Sequence, residues 1–400
     1  MIKAEASCNR NVDRPAAVFG VTALGVIGSI VFLLLPMLIG AFTENLSLSE
    51  AQVGMLGSAD MTGMFIAAVV ATAWIRRYNW RAVAALACGL LIICHLLSGF
   101  VQAFEPLFLI RVLAGFAGGS LMSIALTSLG DTRHPDRFFA LFIAGQLTLG
   151  GLGLWLFPGL LASYGLGGVF SALAVVVLGA MLLIPFISQQ GREVEIAAPS
   201  GSSNRAKKRT ITPAMLPGVM ALLACFIFNL GIMAVWAYLE RMGNAAGLEA
   251  SFIGSTLALS LVGALFGALL AAIIENRFGR VMPFVVTVMV QVVALLLLSG
   301  ELSRNAFLVG VMLFAFGWNF PVAYQLAITV SIDVSGRLVV LFLSAVKLGY
   351  AAAPVVAAQL IMMGQSFTPV IVLSATGLFA SAIIFVSLAV LKTRGRGMSE

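Results

Sequence analysis

Three charged side chains interrupt long apolar stretches, and they are the residues best equipped to do chemistry. Asp60 sits in GMLGSADMTGMF, ten residues past Glu50; Lys347 sits in SAVKLGY, ten residues past Arg337; Arg111 opens RVLAGFAGG. At the rise of an α-helix ten residues cover about 15 Å, half of a hydrocarbon core. A carboxylate at that depth must be paired, hydrated or neutralised by a proton, and switching between such states is what a proton carrier requires. Asp60 is therefore the candidate proton-coupling residue, the alternative being a fixed ion pair that pins two helices. Lys347 and Arg111 are candidate contacts for an anionic group. On a helix Arg111 shares a face with Gly115, Gly118 and Met122; the competing expectation is that it snorkels to the interface near Glu105.

Polar and aromatic residues recur at helical spacing around these charges. Gln146 and Thr148 precede a glycine-rich run ending in Pro158; Asn229, Met233, Trp236 and Glu240 fall on one face; Trp318, Asn319, Pro321, Tyr324 and Gln325 cluster; Tyr350 lies near Lys347. Aromatic faces with a few polar groups suit an organic solute, so Gln146, Asn229, Trp236, Trp318, Asn319, Tyr324 and Tyr350 are the expected substrate contacts. Plain helix packing is the alternative for the aromatic cluster. Thr22, Ser29 and Pro36 admit both readings, pore lining or close packing. Glu240 is expected at an external mouth, with simple solvation the alternative to facing the solute, and the lone His95 is expected to serve packing.

The elements that must position these residues follow from composition. Of 400 residues 61% are hydrophobic and 10% charged, against roughly 45–50% and 25% in soluble domains. With a mean hydropathy of +1.07, the chain reads as a polytopic membrane protein. Twelve apolar windows are long enough to cross a bilayer: 16–40, 51–75, 82–104, 106–129, 138–162, 166–187, 214–239, 251–274, 281–300, 305–329, 337–363 and 369–391. Helices satisfy every backbone group in lipid, which predicts an all-α bundle. Nineteen of the 23 basic residues fall in the tails and alternate loops on one side, which puts both termini in the cytoplasm of a plasma (inner) membrane protein. The net charge of +7 is thereby explained without nucleic acid. The first window is too long for a cleaved signal and is expected to be retained. Cys8, Cys88, Cys94 and Cys225 are expected to be free thiols.

The chain also reads as a duplication. Adding 200 carries Gly54 onto Gly254, Gly63 onto Gly263, Arg77 onto Arg277, Arg137 onto Arg337 and Asn79 onto Gly279, the last two types being those that best tolerate φ > 0. Between the copies lies Ser188–Pro213, with five basic residues and no apolar run, which reads as a flexible linker. The expected organisation is residues 1–187, a linker over 188–213, and residues 214–400.

The loops after the second and eighth windows, WIRRYNWR and ENRFGR, are short and basic. The second resembles the cytoplasmic signature of the major facilitator superfamily, Asp-Arg-x-Gly-Arg-Arg, as Asn276-Arg277-Phe278-Gly279-Arg280, with Asn in place of the acid. The first matches as Arg77-Tyr78-Asn79-Trp80-Arg81, with Arg76 where the family has its acid. Arg111 with its glycines resembles the family's fourth-span pattern, whereas Pro158 follows Phe157 where the family's antiporters have Gly-Pro. The resemblance, covering about residues 16–391, implies a secondary transporter of two pseudo-symmetric six-helix bundles around a central cavity, working by alternating access. It implies that Arg77, Arg81, Arg277, Gly279 and Arg280 brace a cytoplasmic gate. It also sets spans 2 and 11 face to face, so that Asp60 and Lys347 are expected to pair across the seam in one state.

The function expected is proton-coupled transport of a small anionic or zwitterionic organic solute. Export of amphipathic drugs is the alternative within the class, and a non-transporting sensor or lipid scramblase the alternative outside it. No nucleotide-binding motif, metal cluster or nucleophile–base pair stands out, so neither an enzyme nor a cofactor is expected, only a proton gradient. The expected partners are substrate and bilayer, with the chain a monomer.

Overall fold

The computed structural model describes residues 12–190, 216–274, 277–279, 281–300, 302–332 and 338–397. Their regular structure is helical: α1 (Pro15–Gly28), α2 (Ile30–Asn45), α3 (Glu50–Trp74), α4 (Trp80–Ser98), α5 (Phe104–Gly130), α6 (Pro135–Met181), α7 (Leu216–Ala245), α8 (Ala250–Ile274), α9 (Met282–Leu297), α10 (Arg304–Asn319), α11 (Val322–Ser331), α12 (Leu338–Gly364) and α13 (Thr368–Gly397), with a 3-10 turn at Ile184–Phe186. Long apolar runs set the lengths, and short polar residues cap three of the starts among the described residues. Ser49 and Gln52 form a reciprocal capping box at α3, and Ser303 caps α10.

Two spans are broken where the sequence breaks them. The first divides at Ser29, whose hydroxyl donates to the Val26 carbonyl at 2.9 Å. The tenth divides at Phe320–Pro321, because proline cannot continue the hydrogen-bond ladder. The expected fifth and sixth spans run together as α6, 47 residues reversing at Gly165, whose φ of 62° and ψ of −167° suit glycine. Among the described residues ten helical stretches are long and apolar enough to cross a membrane. One of them is this folded pair, and Met282–Leu297 is a shorter apolar helix, so all twelve expected segments find helices. The chain is an all-α, multi-pass membrane protein. Phe19, Leu86, Phe100, Leu182 and Met289 are well exposed on its outside, as lipid-facing residues must be.

The duplication is written into the contacts. A Cβ on Gly54 would collide with Ala358 and come within 2.8 Å of the Pro354 carbonyl oxygen; a Cβ on Gly254 would come within 2.8 Å of the Leu154 carbonyl oxygen. The two contacts exchange under the same 200-residue shift. Gly63 likewise meets the Val112 backbone and Gly263 the Met312 backbone. The first pair lets α3 approach α12 and α8 approach α6 across the seam; the second lets α3 approach α5 and α8 approach α10 within each half. Asn79 departs from its copy. Gly279 has φ 71°, but Asn79 is extended at φ −67° and caps α4 by accepting from the Arg81 amide.

The core divides in a way that matters for function. Toward the ends carrying residues 45–49 and 246–249, one apolar cluster includes α2, α3, α7 and α12 together. Toward the basic loops there are two separate clusters, one around Trp80, Leu121 and Phe142 and one around Phe284, Phe342 and Phe385. The halves are sealed at one end and packed independently at the other. Cys8, Asn276, Arg280, Arg337 and residues 191–213 of the expected linker lie outside the described residues.

Candidate functional site

Asp60 and Arg111 are brought together inside the first half. Arg111 is 0% and Asp60 4% exposed. The guanidinium grips the carboxylate with two nitrogens, Nε donating to Oδ2 at 2.9 Å and the Nη2 group to Oδ1. Close approach of α3 and α5 makes this possible: a Cβ on Gly115 would collide with the Asp60 carbonyl. The remaining nitrogen of Arg111 lies 3.3 Å from His95 Nδ1 and donates to Ser98 Oγ at 3.3 Å. Arginine has only donors, so Nδ1 must accept and the ring proton sits on Nε2. Phe170 closes the guanidinium from above, 5.1 Å from ring centre to Cζ. Arg111 does not snorkel, and His95, expected to serve packing, is part of this charged cluster.

The pairing expected between Asp60 and Lys347 is not formed. Lys347 Nζ faces Met122 Sδ of α5 across the seam at 4.0 Å, and among the described residues no carboxylate pairs with it. Asp60 has its partner in its own half, and Lys347 meets α5 at Met122, eleven residues beyond Arg111 toward the basic loops.

Near Lys347 the seam carries an aromatic cluster. Trp318 Nε1 donates to the Tyr350 hydroxyl at 3.1 Å, and Trp236 lies 5.6 Å from Trp318 between ring centres. Phe32 of α2 joins them from the other half, 5.1 Å from Tyr350 and 5.7 Å from Trp318. Phe32 carried no signal in an apolar span. Gln146 Nε2 donates to Ser29 Oγ at 2.6 Å, bracing the break between α1 and α2. Asn229 and Asn319 turn back onto their own helices, donating to the Cys225 and Ala315 carbonyls. Tyr324 stands apart, its hydroxyl 3.4 Å from the Ala271 carbonyl and its ring packed with Phe320 in the second half.

The sealed end is clamped across the seam. Arg241 of α7 takes both oxygens of Glu50 of α3, at 2.7 Å for Nη2 to Oε1, and Asn244 donates to Glu44 Oε1. The Glu50–Arg241 pair is partly exposed, so its contribution is about 1 kcal/mol or less. Arg241→Ala should therefore raise the population open at this end by up to about fivefold. Spin labels at Ser47 and Ala246 would report it as growth of a longer-distance component, and an unchanged distribution would show the pair to be decorative.

At the opposite end, Arg76 binds Asp131 at the end of α5 with both terminal nitrogens, one bond being 2.9 Å. Arg81 Nε donates to the Ile187 carbonyl at 2.8 Å, and Gln189 accepts from the Trp80 amide at 2.7 Å. Arg77 and Arg277 are exposed. The residue standing where the signature has its acid is thus the one that makes the ion pair, and its partner Asp131 was not anticipated.

The family model described as Major Facilitator Superfamily matches residues 18–354. No curated protein matches the sequence. Among solved structures the fold is similar to a bacterial homolog of the human lysosomal transporter Spinster in an inward-facing, unoccupied conformation, with TM-score 0.61 and 15% identity over 94% of this chain and 96% of that one. It is also similar to the nucleoside transporter NupG, with TM-score 0.72 and 13% identity over 93% and 99%. These identities speak for the fold.

Proposed function

Because the chain belongs to the Major Facilitator Superfamily and is by that membership a secondary transporter, we propose that it couples proton movement to transport of a small anionic or zwitterionic organic solute. Asp60 is the proton carrier in this reading, Arg111 its countercharge, and Lys347 the contact for the solute's anionic group. The observation that carries the reading is the contrast between two buried cations. Arg111 is saturated by Asp60, whereas Lys347 faces Met122 at the seam, three residues from the Tyr350 that packs with Trp318 and Phe32, with no acid paired to it among the described residues. An unpaired ammonium in an aromatic-lined seam is poised for a carboxylate or phosphate.

Proton coupling follows from partner exchange. Protonating Asp60 removes the charge that holds Arg111, freeing a guanidinium whose other contacts are neutral. A change of a few kcal/mol suffices to redistribute two conformations. With the basic loops cytoplasmic, the sealed end is extracellular and the conformation described is inward-facing. Residues 1–187 and 214–400 would rock as rigid halves in a plasma membrane, with Arg76, Arg81 and Asp131 bracing the cytoplasmic ends.

The test uses proteoliposomes and a solute first identified by its effect on thermal stability. Asp60→Asn should abolish accumulation driven by a pH gradient while leaving counterflow exchange. Lys347→Ala should weaken anionic solutes by about tenfold or more, the loss expected for a buried charge-assisted contact. Gradient-driven accumulation in Asp60→Asn equal to wild type would overturn the proton role.

A further inference from the structure

Simple solvation, one reading of Glu240 at the external mouth, does not hold. It is 6% exposed, its Oε2 has no hydrogen-bond partner among the described residues, and it lines a cavity of about 230 Å³ at the sealed end. The side chain is seated there by Gly40 of the other half, where any Cβ would collide with Oε2. Thr43 and Glu44 line the same cavity from α2, Asn244 and Phe367 from the second half. The one basic side chain in the wall, Arg241, is already committed to both oxygens of Glu50. Two carboxylates, the exposed Glu44, which accepts from Asn244, and the buried Glu240, therefore share a space in which no described cation pairs with either. An unpaired buried carboxylate is costly, and burial is tolerated when a charge is paired or coordinates a metal.

We propose that this cavity binds a hard cation between Glu44 and Glu240, with the Thr43 hydroxyl and the Asn244 amide oxygen as further oxygen donors. Carboxylate, hydroxyl and amide oxygens suit sodium, magnesium or calcium rather than a softer metal, and the volume leaves room for retained waters. Since the donors come from both halves, the ion bridges the seam and favours the conformation closed at this end. External cation would thus bias the access cycle from a place remote from Asp60 and Lys347.

Binding is read without transport, so its outcome is independent of the solute and the proton. The unfolding temperature of the purified full-length protein is titrated with sodium, magnesium and calcium chlorides, choline chloride holding ionic strength constant. A saturable rise with at least one of them is expected. Glu240→Gln, which removes a charged ligand, and Gly40→Ala, which displaces that ligand, should each raise the half-saturating concentration about tenfold or more. Glu44→Gln should act in the same direction, so that misfolding of one variant leaves the others to decide. The same cation should shorten the Ser47–Ala246 label distance. A response to none of the three, a response that choline reproduces, or one equally strong in all variants would overturn the site. A stability change that follows pH alone would assign Glu240 to a proton instead and would also overturn it.

Discussion

Arg111→Met is expected to destabilise the protein by about 3–5 kcal/mol, the cost of leaving the partner of a buried ion pair uncompensated. Asp60 would stay 4% exposed between α3 and α5 with its guanidinium gone. The deficit should shrink in acid, because a protonated Asp60 needs no countercharge. Asp60→Asn in the same background should recover most of the loss, since both charges are then absent and an apolar or neutral pair in such a place is often no worse than the ion pair. Thermal unfolding of the single and double variants in detergent measures this. Equal destabilisation by the single and double variants would show that Arg111 acts by filling space rather than by charge.

Gly54→Leu is expected to hold the protein open at the end that is sealed here. The glycine lies against Ala358 and the Pro354 carbonyl, so a leucine would wedge α3 from α12. Overpacking of this sort costs about 1–3 kcal/mol, and here separation of the halves relieves it. A population shift of about tenfold or more toward the open form follows, read as a longer distance between labels at Ser47 and Ala246. Gly254→Leu, wedged against Leu154 and Pro158, should do the same through the other leg of the seam. Opposite responses from the two would contradict the pseudo-symmetric architecture.

The layers of this structure were legible to different degrees. Apolar length and basic loops located the spans, because lipid leaves the backbone no choice but helix. The 200-residue shift found Gly54, Gly63 and their copies, since only glycine permits the backbone approach that both halves repeat. Position along a helix was legible too, as each residue advances it by a fixed rise. Azimuth was not. Asp60 turns toward Arg111, and what decides this is the Gly115 contact between α3 and α5; Lys347 meets α5 further toward the basic loops, at Met122. A signal did exist: opposite charges within one half, each beside glycines that bring their helices together. His95 with Ser98 one turn on was a second, a polar pair in an otherwise apolar span. Tyr324 follows Trp318 by six residues, but Pro321 breaks the helix between them and turns the tyrosine toward Ala271. Phe32 could not be singled out, because a phenylalanine that receives Tyr350 and Trp318 is identical in sequence to one that faces lipid.

The claim that everything here rests on is that Asp60 takes up and releases the transported proton. It is tested most directly by loading proteoliposomes with a pH-sensitive dye and adding solute. The wild-type protein should move protons in step with solute, and Asp60→Asn should exchange solute with no pH change. Proton movement of wild-type size in Asp60→Asn would contradict the account, leaving Asp60 and Arg111 as a structural pair and the coupling group elsewhere in the chain.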